Sequence, residues 1–377
     1  MGQGGGGFGR DGRLMRIDLA GLQRAADFAI AHETPWDRDP AGGSWGIHML
    51  DRPPYNRLLG PVHARGPVSG VVRVGGKQVI EWGEPERPDL TFSIAKTCLA
   101  MLAGVAHERG LLPDFDAPVC ASVPGIGFDA GRNAHVTWMQ LLQQTSEWEG
   151  ACFGIPDQVD RYRHLQYQPP REPPHPAGAA KGDARPLQAP GSYWEYNDVR
   201  INQLALALLH LFREPLPDVF RDAIARPCGA SDNWRWEGYD NSWVELGGQR
   251  MQSVPGGTHW GGGMSIGSVD QALIGQMLLD EGRAGGRQVL PSDWVRRMLT
   301  PCAIAPWYGT LVWLNRQRGV FPSASSASSF CIGAGASVVW LDPDRDMVAV
   351  VRWIDGTQID GFCARVAQAV TPAVTPE

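Results

Sequence analysis

The spacing of apolar and polar residues places strands toward both ends of the chain and helices between them. Leu19–His32 (LAGLQRAADFAIAH) puts Leu19, Leu22, Ala26 and Ile30 on one stripe, the pattern of a surface helix packed on a sheet. Val68–Val74 and Gln78–Trp82 flank Gly75-Gly76-Lys77, which predicts a hairpin closed by a tight glycine turn. Ser93–Ala106 is apolar all round except for Lys96, so a helix buried on every side is expected, and a lysine inside it needs a reason. Between Ala121 and Asp183 short helical segments such as Val136–Gln143 alternate with loops, and Gln168–Pro190 is so rich in Pro, Gly and Ala that it reads as a long irregular loop or lid. A further helix is predicted over Asp198–Leu211, and another from Ser268, where Ser268 and Gln271 fit an S-x-x-Q capping box. Gly335–Leu341 and Met347–Trp353 alternate around the turn cluster Asp342–Asp346, and a closing helix over Asp360–Val370 packs on these two antiparallel strands. The sheet is thus expected to be built from both ends of the chain around a helical insertion.

Composition narrows the class. The chain has 377 residues, 43% of them hydrophobic and 20% charged, which is ample for one large core. A formal net charge of -6 without a basic cluster sets nucleic acid aside as a partner. The longest apolar run, Cys98–Ala106, is far short of the roughly 20 residues that cross a bilayer, so no membrane partner is expected. Met1–Arg13 is Gly-rich and lacks the apolar core of a secretory signal; residues 1–14 are expected to be disordered, with Met15 an alternative start. Seven cysteines, an odd number without C-x-x-C spacing, point to free thiols and a cytoplasmic location. No His or Cys spacing suits zinc and no Gly-rich loop carries G-K-S/T, so no metal or other cofactor is implied. Lysine occurs only at Lys77, Lys96 and Lys181, which makes each of them worth a question.

Ser93 and Lys96 stand three apart, so on a helix they share a face and the amine can reach the hydroxyl. An apolar surround lowers a lysine's pKa and makes it a base toward that hydroxyl, and the Ser93 amide at a helix start can bind an oxyanion. The same spacing also suits a lysine snorkelling from a surface helix. A second element changes the balance. Pro190-Gly191-Ser192-Tyr193-Trp194-Glu195-Tyr196-Asn197-Asp198 resembles the P-G-x-x-F-x-Y-S-N segment of class C β-lactamases and their esterase and peptidase relatives. Leu141–Ser146 is similar to that family's L-L-x-H-T-S, Gly261–Asp270 to its G-G-x-x-S-T-x-x-D, and Phe330–Val351 to its final K/H-T-G strand with the hairpin after it. The four matches fall in the family's chain order.

The resemblance implies an α+β fold of the β-lactamase/transpeptidase type, a single fused catalytic domain. Residues 15–90 and 250–377 would form the sheet part, and 91–249 the mostly helical part that carries the nucleophile. It implies that Ser93 is the nucleophile, that Lys96 and Tyr196 act as general base and acid, and that Tyr196 is a phenolate favoured by the Lys96 ammonium. An oxyanion hole would pair the amides of Ser93 and Ala334. Two departures qualify it. Asp198 stands in Tyr196-Asn197-Asp198 where relatives have Tyr-x-Asn, and a carboxylate near Lys96 favours the protonated amine, unless Asn197 turns inward instead. Cys331-Ile332-Gly333 replaces K-T-G, removing the donors that hold a β-lactam or D-Ala carboxylate. Cys331 reads as an inert thiol lining the pocket beside Gly333, and His259 as a replacement donor or a plain loop histidine. Trp148, Trp260 and Trp307 suit either an apolar acyl pocket or the core. The expected activity is a serine hydrolase acting on a small ester or amide. The rivals are a β-lactamase or D-Ala peptidase, and a catalytically silent binder of the same fold.

Overall fold

The hairpin expected at Gly75-Gly76 forms in the computed structural model, which describes residues 6–8, 14–168 and 175–373. Strand β1 (Ser69–Val74) turns through Gly75 and Gly76, at φ 56° and 74°, into β2 (Lys77–Trp82). Successive positive φ values are what a two-residue type I′ turn requires, and glycine meets them without strain. Late in the chain come β3 (Trp313–Leu314), β4 (Ser329–Gly333), β5 (Ser337–Asp342) and β6 (Met347–Arg352). All six join one antiparallel sheet in the order β3-β4-β5-β6-β1-β2. The junction between early and late segments is β6 on β1, with Met347 opposite Val74 and Arg352 opposite Ser69.

The principal helices are α1 (Leu19–Ala31), α2 (Ile94–Glu108), α3 (Trp138–Leu142), α4 (Asp198–Phe212), α5 (Ser268–Leu279) and α6 (Ile359–Ala369). Helices α1 and α6 pack together on one face of the sheet, where Trp82 meets Phe362 at 5.9 Å. Helix α5 covers the other face, with Gly275 against Val339, Leu341 and Val348. Every residue of β5 and β6 is therefore buried, and the alternation expected there is absent because neither face meets water. The stripe expected on α1 is also shifted. Leu22 and Ala26 are buried with Ala25 and Ala29, while Leu19 and Ile30 remain 52% and 49% exposed. Small alanines let this helix lie close on its partners.

The capping box expected at Ser268 does not form. Gly267 is the N-cap of α5, the side chains of Ser268 and Gln271 make no hydrogen bond, and the Ser268 and Val269 amides donate to the Pro85 carbonyl instead. A neighbouring loop thus satisfies donors that a side chain was expected to take. The capping box that exists joins Thr137 and Gln140 at the start of α3. Helix α2 runs between β4 and α4, at the seam of the sheet and the helical part. Gly6–Phe8 pairs with Leu14–Ile17, which pairs with Val370–Pro372; the rest of the Gly-rich start lies outside the described residues. Among the described residues, 175–190 hold neither helix nor strand, and no helix is long and apolar enough to cross a membrane. All seven cysteines are free.

Candidate active site

Ser93 sits where a short strand, Asp89–Leu90, turns into α2. The turn needs Phe92 at φ 50°, a conformation that costs a non-glycine residue on the order of 1 kcal/mol. Packing holds it there: the Phe92 ring is wholly buried against Trp36, Trp45 and Trp353, at 5.4, 5.7 and 6.3 Å between centroids. Ser93 is thereby fixed at the helix N-terminus, 8% exposed. One turn on, the Lys96 amine donates to the Ser93 hydroxyl at 2.8 Å. Gly257 closes over the pair, since a Cβ on it would lie 3.1 Å from Lys96 Nζ and 3.4 Å from Ser93 Oγ.

Tyr196 arrives from the segment before α4. The Leu141–Ser146 run holds that segment: the Gly191 amide donates to the Thr145 carbonyl, Glu195 to the Gln144 carbonyl, and the Asn197 amide to Gln144 Oε1. The Tyr196 ring lies 4.9 Å from Lys96 Nζ, and its hydroxyl is a side-chain partner of Ser93, although the short bond at Ser93 is the one from Lys96. Asn197 does not turn inward; its side chain caps α4, accepting from the Val199 and Arg200 amides. Asp198 faces Lys96 at 2.6 Å. Burial pushes the Tyr196 phenol up and Asp198 adds to the rise, which favours the neutral phenol over the phenolate that the Lys96 charge by itself favours. Burial pulls Lys96 down, and Asp198 opposes without overcoming it.

Behind this pair lies a buried set of charges. Asp198 Oδ2 takes Arg163 at 2.6 Å and His259 Nδ1 at 2.7 Å, and His259 Nε2 meets Asp51 at 2.9 Å. The Lys181 ammonium bonds Asp51 and stands 2.9 Å from Asp160. Asp51, Asp160 and His259 have donor atoms within 4.8 Å of one another, the spacing of a cation site, and the cation among them is the chain's own Lys181. Asp160 is held down to about 2: burial opposes, but the charges of Lys181, Arg163 and His259 prevail.

A cavity of about 570 Å³ opens over Ser93. Gly333, Ala334, His259, Arg163 and Lys181 border it with apolar Trp36, Leu50 and Ile359. Among the described residues Cys331 and Asp198 do not border it, contrary to expectation, and neither do Trp148, Trp260 and Trp307, for which pocket and core were both open. Asp198 is screened behind Lys96. Trp148 is core, its indole donating to the Gly127 carbonyl, and Trp260 stacks on His259 while donating to Asp51. Cys331 faces an interior gap with Cys98 and Met264, and burial pushes its thiol up to about 11. Residues two apart on a strand share a face, so alternation alone puts Cys331 on the side of Gly333; Gly333 lies at the cleft while Cys331, further along the strand, lies over the interior gap.

A profile of the family described as Beta-lactamase matches residues 63–353 of this chain. The chain belongs to the β-lactamase family. Solved structures with this fold include a putative β-lactamase from Bacteroides dorei, 17% identical over 77% of this chain and 86% of that one, with a TM-score of 0.55. A D-stereospecific amidohydrolase from Streptomyces sp. is 17% identical over 91% and 97%, at 0.56. EstCE1, a hydrolase with promiscuous acyltransferase activity, is 15% identical over 93% and 98%, at 0.58. No curated protein matches in sequence. This member of the family carries Asp51, Asp160, Arg163, Lys181 and Gly257 at its site, none of which its motifs announce. Only Lys181 had a signal, the scarcity of lysine.

Proposed function

We propose that this β-lactamase-family chain is a serine hydrolase that cleaves a small ester or amide through an acyl-enzyme on Ser93. The observation that carries the reading is the 2.8 Å bond from Lys96 to the Ser93 hydroxyl at the edge of a 570 Å³ cavity. Lys96, its amine favoured by burial, takes the Ser93 proton as the oxygen attacks the substrate carbonyl. The amides of Ser93 and Ala334, both residues at the cavity wall, receive the oxyanion. The Tyr196 phenol relays the proton from Lys96 to the leaving group, and water then releases the acid by the reverse path. Apolar Trp36, Leu50 and Ile359 suit an uncharged acyl or alcohol portion.

One observation favours the second reading, a β-lactamase or D-Ala peptidase: Arg163 and Lys181 border the cavity and offer cations in place of the missing K-T-G lysine. Both are already paired with carboxylates, which supports the ester or amide reading over this one. A fluorophosphonate probe followed by mass spectrometry tests the shared chemistry. An adduct on Ser93, lost in Ser93→Ala, is expected; none under forcing conditions would leave a silent binder. Hydrolysis of p-nitrophenyl esters without nitrocefin turnover is the expected division of substrates.

A further inference from the structure

Asp198 sets a problem that the proposed mechanism leaves open, because a carboxylate 2.6 Å from Lys96 favours the ammonium over the amine that must act as base. The surrounding charges resolve it. Three buried carboxylates, Asp51, Asp160 and Asp198, share one cluster with four groups able to carry a positive charge, Lys96, Arg163, Lys181 and His259. The cluster meets water where Lys181, 21% exposed, and Arg163 reach the cavity wall, and a set of charges this buried is cheapest when they balance, which asks one of the four to be neutral. Arginine keeps its proton in proteins, and Lys181 is tied to two carboxylates. The choice falls between His259 and Lys96.

Geometry makes that choice. Both ring nitrogens of His259 lie on carboxylate oxygens, Nδ1 on Asp198 at 2.7 Å and Nε2 on Asp51 at 2.9 Å, with Asp160 3.7 Å from Nδ1. A neutral imidazole has one N-H, so it would turn a lone pair against one of these oxygens; the imidazolium donates to both. Trp260, stacked at 3.8 Å and 9°, fixes the ring plane. Lys181 at 3.4 Å from Nε2 and the His48 ring are the remaining charged or titratable groups facing it. Lys96 meets only Asp198 directly, with Ser93 and the Tyr196 ring beside it and Arg163 and Asp160 beyond. The Asp198 oxygen turned away from Lys96 is shared by His259 and Arg163.

We infer that His259 is a positioning residue for the Ser93-Lys96 pair: held as an imidazolium between Asp198 and Asp51, it carries the positive charge that balances the cluster and leaves Lys96 the neutral amine. The inference rests on the hydrolase reading for its purpose, but its test does not need turnover. The chain has three lysines, so [13Cε]lysine NMR on the full-length protein gives three resonances to follow with pH. Lys96 is expected to titrate well below exposed Lys77. His259→Gln, which cannot hold the charge, raises the Lys96 midpoint by about one pH unit or more, and Asp198→Asn lowers it. A Lys96 midpoint that matches Lys77 in the wild type, stays put in His259→Gln, or moves the same way in both variants overturns the inference.

Should the variants not fold, 15N spectra of the wild-type histidines decide it. His259 with both nitrogens protonated where Lys96 is neutral supports the assignment, and a neutral His259 beside a charged Lys96 overturns it. Absence of a fluorophosphonate adduct on Ser93 would remove the hydrolase reading by itself. With the adduct present, a Lys96 midpoint unmoved in His259→Gln removes only the role of His259, and a wild-type midpoint that matches Lys77 removes Lys96 as the base as well.

Discussion

Two buried ion networks lie against α4, and they differ in one chemical respect. The first joins Glu147, Glu195 and Asp157 to Arg185, Arg200 and Arg161: Arg185 reaches Glu147 at 2.6 Å and Glu195 at 2.7 Å, Arg200 reaches Glu147 at 2.9 Å, and Arg161 reaches Asp157 at 2.9 Å. Burial pushes the Glu147 carboxyl up, yet the bonds from Arg185 and the charge of Arg200 win and hold it below its usual value. The second network is the cluster behind Ser93, buried except where Lys181 and Arg163 reach the cavity, and built with Lys96, Lys181 and His259 beside Arg163. Guanidinium groups cannot give up a proton, so the first network is a fixed staple that ties Arg185 of the long loop to the helical part. Lysine and histidine can, so the second can change its protonation during a reaction. Burial and charge density are common to both networks; the kind of cation separates them.

The contrast is broken most severely at Ser93, the proposed nucleophile. Ser93→Ala should lower p-nitrophenyl ester turnover by about 10³-fold or more while leaving the thermal unfolding midpoint in place. Next comes the staple: Arg185→Met takes away the guanidinium that bridges Glu147 and Glu195, leaves Arg200 alone to face both, and should cost about 3 kcal/mol in chemical denaturation, with 175–190 newly open to proteolysis. A variant as stable as the parent would show that the arginine network holds nothing. Gly257→Ala, whose methyl meets Lys96 and Ser93, should reduce kcat about tenfold at unchanged stability, measured by steady-state kinetics beside thermal melts.

Acid sharpens the comparison further. Asp160 and Asp198 are held below the usual 3.8, so the stability they give is complete above that value and is lost as the pH falls, toward about 2 for Asp160. Melting temperature should therefore drop steadily below about pH 4, and a flat profile would deny the pairing. The smallest effect is expected at Cys331→Ala, which should leave turnover within about twofold because the thiol lines an interior gap and not the cleft. A collapse of activity there would put the sulfur at the substrate.

The glycine turn at Gly75-Gly76, helices α2 and α4 and the joining of both chain ends in one sheet were legible, because they rest on local turn chemistry and on long apolar runs. Ser93, Lys96 and Tyr196 were legible too, as a spacing on one helix and a motif before another. Asp51, Asp160, Arg163 and Lys181 were not. They come from separate loops and acquire meaning only when brought within hydrogen-bonding distance of one another.

What the order of residues determined alone is the family motifs that carry Ser93, Lys96 and Tyr196 and which segments must be buried to hold them. Which state those groups adopt was decided in three dimensions. The expectation that Asp198 favours a charged Lys96 and that Lys96 favours a phenolate at Tyr196 weighed only the charges that the family motifs bring together. Folding adds the loss of water around both groups and places Arg163 and His259 on the far side of Asp198. Electrostatic energies depend on distance and on burial, and neither quantity exists until the chain has folded.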